Sequence, residues 1–174
     1  PFENPKGFNI GVPDWNIPSA SVDSENPVVA ILDTGVDLTN PDLKDKLWTR
    51  PAGSSLPGGD HGINVSGEGS LENVVDTNGH GTHCAGIVGA AWNNMGVSGA
   101  GEKIEIMAIQ SNTSISSKIQ GFDYVKQACR EGVNVKAVNL SWGGPGQSKA
   151  LDRAIEETGK AGAIALVASG NSGW

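Results

Sequence analysis

Val29-Ala30-Ile31-Leu32-Asp33-Thr34-Gly35-Val36-Asp37 is the stretch that decides the architecture. Four apolar residues run into a carboxylate and then Thr-Gly, the pattern of a short strand buried on both faces that delivers an acid to a turn. Taken alone, Asp33 fits a strand-ending Asx turn better than a functional acid. The pattern recurs downstream: strands are predicted at Val28–Asp33, Ile104–Ile109, Val135–Ser141 and Ala163–Ser169, and helices at His80–Ala91, Ser116–Arg130 and Ser148–Lys160. Ile119, Phe122, Val125 and Cys129 share one face of the second helix, and Leu151, Ala154, Ile155 and Thr158 one face of the third. Strand-helix alternation of this kind implies an α/β fold, a mostly parallel sheet flanked by helices in three layers, with the working site at the carboxyl ends of the strands.

The 174 residues fit one domain. Residues 44–76 turn Gly-, Ser- and Pro-rich without a sustained period and read as a surface insertion. A formal net charge of −7 argues against a nucleic-acid partner, whose phosphates call for clustered Lys and Arg. No apolar run approaches the roughly 18 residues of a membrane span, and the start of the chain lacks the layout of a signal peptide. Two cysteines are too few for a disulfide framework; Cys84 reads as a buried thiol.

Forty-seven residues after Asp33 stands His80-Gly81-Thr82-His83-Cys84-Ala85-Gly86, and near the end Ala168-Ser169-Gly170-Asn171-Ser172. His80 and His83, three apart at a helix start, could face one metal, yet zinc helices space their histidines by four around a Glu. With Asp33 to Leu43 (Asp-Thr-Gly-Val-Asp-x-x-x-Pro-Asp-Leu), these strings resemble, in order, the aspartate, histidine and oxyanion asparagine motifs of the subtilisin-like serine proteases. The resemblance spans Trp15 to Trp174 and implies the subtilisin-like three-layer fold.

It also implies roles. Asp33 would orient His80 as general base, and Asn171 would donate to the oxyanion. His83 would be a neighbour with a satisfied hydrogen bond, and His61 solvated. Ser141-Trp142-Gly143-Gly144 resembles the strand that pairs with an extended polypeptide substrate, with glycines where a Cβ would crowd the incoming chain. Calcium is the implied cofactor, held by Asp42 and the loop that includes Ala91, Asn93, Met95 and Val97. A secreted or extracytosolic location and a propeptide or complementing carboxyl-terminal fragment are further implications.

No Gly-Thr-Ser-x-Ala nucleophile string occurs before Trp174, so the expected serine lies downstream and the fold is expected to stop short of its helix. Two readings follow: a serine endopeptidase whose Asp-His-Ser triad is completed downstream, with the present chain inactive alone, or a catalytically incompetent peptide-binding module. The first is preferred because a pure binder needs no Asp-His-Asn set. Apolar surface is expected to be exposed near Ala163–Ala168.

Overall fold

The computed structural model describes residues 26–143 and 148–170. Five strands, β1 (Val28–Asp33), β2 (Gly62–Asn64), β3 (Glu105–Gln110), β4 (Val135–Leu140) and β5 (Ile164–Val167), form one sheet in the order β2-β3-β1-β4-β5, every pairing parallel. The helices are α1 (His80–Gly89), α2 (Ile115–Arg130) and α3 (Lys149–Lys160). β1 is central, with β3 on one side and β4 on the other, so its carboxyl end lies where the strand order reverses, the place at which open parallel sheets bind their ligands.

Side-chain alternation sorts the two cores. Val28, Ala30 and Leu32 of β1, with Met107 and Ile109 of β3, pack on Phe122, Val125 and Ala128 of α2 and Ala154 of α3. Ile31, Ile106 and Ala108 face the other way, onto Val36, Leu43, Val74 and Ala85 of α1. The expected three layers are therefore present: α1, sheet, then α2 with α3. The same parity turns Asp33, odd-numbered like Ile31, toward the face on which α1 begins with His80.

Helix starts are set locally. Ser114 and Ser148 cap α2 and α3, accepting from Ser117 N–H at 3.2 Å and Leu151 N–H at 3.3 Å. The stretch 44–76 departs from the expected surface insertion. Trp48, Leu56, Ile63 and Val65 join the larger core, and β2 adds an edge to the sheet. The crossing is possible because residue 62 is glycine: a Cβ there would stand 1.7 Å from the Ala108 carbonyl oxygen. β5 is shorter than expected and, among the described residues, pairs only with β4, leaving Ile164, Leu166 and Val167 more than half exposed, in line with the expected apolar surface.

Candidate active site

At the carboxyl end of β1 the Asp33 carboxylate is buried, and its Oδ1 accepts from Thr34 N–H at 2.8 Å and from His80 Nδ1 at 2.7 Å. Donation from Nδ1 leaves Nε2 as the free lone pair. The His80 side chain is 50% exposed over the 2% exposed carboxylate, so one end of the imidazole is fixed and the other faces solvent.

The approach of α1 to β1 requires Gly81, where a Cβ would stand 2.2 Å from the Gly35 carbonyl oxygen and 3.2 Å from Asp33 Cβ. Asp76, which the motif reading passed over, completes the joint. Its Oδ1 accepts from Asn78 N–H, Gly79 N–H and the Thr34 hydroxyl, and its Oδ2 from the N–H and hydroxyl of Thr82. These bonds satisfy amides at the start of α1, which has no side-chain cap at Gly79. Burial pushes the Asp76 carboxyl up, but the Thr82 side chain and the backbone N–H groups of Gly79, Thr82 and Asn78 outweigh it and hold it at about 2. The two threonine hydroxyls each work twice: Thr34 Oγ1 accepts from Gly81 N–H and Thr82 Oγ1 from Asp37 N–H.

One turn along α1, Cys84 Sγ stands 4.0 Å from both Asp33 Oδ2 and His80 Nδ1. Burial pushes its thiol up, against a hydrogen bond from the Ser141 side chain, a setting that disfavours the thiolate. Asp33, His80 and Cys84 are the described residues whose ligand atoms cluster within 4.8 Å, but Asp33 and His80 already spend theirs on each other.

Ser141, Trp142 and Gly143 follow β4 beside this joint, the Ser141 hydroxyl accepting from Asn139 Nδ2 at 2.8 Å. Among the described residues nothing lies within 4 Å of where a Cβ on Gly143 would stand. Gly144 and Asn171 lie outside the described residues. His83 corrects the expectation made for it: its side chain is exposed, makes no hydrogen bond among the described residues, and lines a cleft on the outer side of α1 with Ile87, Trp92 and Met95. His61 is half-buried instead of solvated, its Nδ1 2.9 Å from the Trp48 carbonyl oxygen.

The loop does bring Asp42, Ala91, Asn93 and Val97 together, but through N–H donors. Asn93 Nδ2 and Val97 N–H donate to the two oxygens of the Asp42 carboxylate, both at 3.1 Å, and Ala91 N–H donates to the Asp42 carbonyl. Asn93 Oδ1 is turned away to accept from Met95 N–H. Calcium needs converging oxygens, so this arrangement does not fit the ion.

The Subtilase family pattern matches residues 24–174. The chain is 37% identical over 150 residues to Subtilisin Savinase of Lederbergia lenta, an alignment covering 83% of this chain and 48% of that protein. It is 30% identical over 179 residues to the Major intracellular serine protease of Bacillus subtilis (strain 168), covering 98% and 50%. The solved structure of Sphericase superposes with a TM-score of 0.71 at 22% identity over 86% of this chain and 47% of the other, a likeness of fold. The chain thus spans about half the length of these relatives. No described helix is long and apolar enough to cross a membrane.

Proposed function

The chain belongs to the subtilase family, and on that premise we propose that it supplies the aspartate and histidine of a serine endopeptidase whose nucleophile comes from polypeptide beyond these 174 residues. The observation that carries the reading is the 2.7 Å contact of His80 Nδ1 with the buried Asp33 carboxylate, with the far end of the imidazole open to solvent. The family likeness supports it.

In this reading an extended polypeptide pairs its backbone with Ser141–Gly143, so that side chains matter little to docking. His80 Nε2 takes the proton of the serine hydroxyl as its oxygen attacks the scissile carbonyl carbon, and returns it to the amide nitrogen as the carbon–nitrogen bond breaks. Water then repeats the two transfers to release the acyl group. Asp33 keeps the proton on Nδ1 and offsets the imidazolium charge; Asn171 would donate to the oxyanion.

The 174-residue chain alone should hydrolyse no peptide measurably: removing the triad serine costs about 10⁶-fold in kcat, the magnitude known for subtilisin itself. The test adds a separately expressed carboxyl-terminal half of a subtilase and follows casein hydrolysis and fluorophosphonate labelling of its serine. Both should appear only in the mixture and be lost with His80→Ala. Activity of the chain by itself, abolished by His80→Ala, would place the nucleophile among its own residues.

Calcium is not proposed at this loop as it stands: binding at Asp42 would require Asn93 to turn its amide so that Oδ1 replaces Nδ2, and Val97 to trade its N–H for a carbonyl oxygen. Work outside the cytosol is proposed, and fractionation of the source cells tests it.

A further inference from the structure

We propose that Lys118 is a positioning residue, a clamp that holds Trp142 on one wall of the site and, through Ser111, the backbone of Asp33 on the other. Lys118 lies on α2, four and seven residues before Phe122 and Val125, where the helix turns its apolar stripe to the sheet. It is only 3% exposed. Its ammonium donates to Ser111 Oγ at 2.7 Å and to the Asn112 carbonyl, and stands 3.7 Å from the centre of the Trp142 ring. Ser111 closes the chain of contacts: its N–H and hydroxyl both donate to the Asp33 carbonyl oxygen, at 2.7 and 3.2 Å.

No carboxylate of the described residues lies within 4.0 Å of the ammonium. A buried cation satisfied by neutral oxygens and an aromatic face costs the fold more than a methionine would. Burial pulls its ionisation down to about 8, and the Asp33 carboxylate is the charge that opposes this. What the charge provides is geometry. It joins the ends of β1, β3 and β4 at one point, whereas an apolar side chain would fill the space and fix neither hydroxyl nor indole. Trp142 needs such a fixture, since its buried Nε1 has no partner of its own among the described residues.

The clamp rests on the reading of Ser141–Gly143 as the peptide-pairing segment, and its test needs no substrate. In the ¹⁵N-labelled chain, the indole N–H resonance of Trp142, assigned with Trp142→Phe, and the ring nitrogens of His80 report the two walls. Lys118→Met should shift both, and Lys118→Arg, which can donate to Ser111 and stack on the indole, should return both toward the parent positions. Either signal unmoved in Lys118→Met, or Lys118→Arg displaced as far as Lys118→Met, overturns the proposal. Should Lys118→Met fail to fold, Ser111→Ala keeps the ammonium over Trp142 while cutting its link to Asp33: His80 should then shift and Trp142 stay, and an unmoved His80 overturns the clamp. Shifts as expected, with no proteolysis in the reconstituted complex, would retain the clamp and reject the peptidase reading.

Discussion

Asp33 and His80 hold each other at 2.7 Å across forty-seven residues of chain, one at the end of the central strand and the other at the first position of a helix. The contact depends on strand parity, on a glycine next to the histidine and on a second carboxylate, Asp76, that ties the helix start to the turn after β1. Each support can be removed separately.

Gly81→Ala should separate the pair without touching either member. The new methyl would press on the Gly35 carbonyl oxygen at 2.2 Å, so the helix start must lift. Overpacking of this order costs about 1–3 kcal/mol, measurable by urea unfolding. The His80 ring-nitrogen resonances should move away from those of the parent; unchanged resonances would show that the joint tolerates a Cβ.

Asp76→Ala removes the acceptor for the first amides of α1 and should destabilise the chain by about 2 kcal/mol at neutral pH. The loss depends on pH in a defined direction. The folded-state value, about 2, lies below the ordinary 3.8, so the parent's advantage is present above pH 3.8 and disappears as pH falls through about 2. Unfolding curves of parent and variant should converge over that window, and a constant gap would contradict the role assigned to Asp76.

Lys118 gives a slope of the same sign in a higher pH window, although here it is the charged form that burial disfavours. Its folded value, about 8, lies below the ordinary 10.5, so between these pH values the unfolded chain binds the extra proton and folding gains as pH rises. The stability of the parent relative to Lys118→Met should increase from pH 8 to pH 10.5. A flat difference would mean that the ammonium is not penalised by burial.

The misfit of this loop to calcium is tested by melting the chain with chelator and with millimolar calcium. With Asp42 closed by the N–H groups of Asn93 and Val97, the midpoint should not change. A rise with calcium would show that the loop reorganises into an oxygen cage.

Much of the site was legible because its information is local. An apolar run ending in Asp-Thr-Gly marks a buried strand with an acid at its carboxyl end, and small residues around His80 mark close helix packing. What escaped is tertiary. Lys118 is absent from the apolar stripe that the sequence shows on its helix, and only the fold reveals that its position is buried. Asp76, four residues before His80 in turn-rich sequence, shows its purpose only once Thr34 and Thr82 converge on it. β2 has three residues and no period; pairing with β3 alone makes it a strand. Sharing a motif with His80 implies a bonded neighbour's role for His83, yet residues three apart at a helix end diverge enough for one to meet Asp33 and the other to face solvent.

The decisive measurement is fluorophosphonate labelling and casein hydrolysis by a purified complex of this chain with the serine-bearing half of a subtilase, isolated by gel filtration so that assembly is known. The expected result is labelling and hydrolysis by the complex, neither by either part alone, and loss of hydrolysis with Asp33→Ala or His80→Ala. An assembled complex that neither labels nor cleaves, or one whose hydrolysis survives His80→Ala, would contradict the assignment of Asp33 and His80 as the catalytic pair.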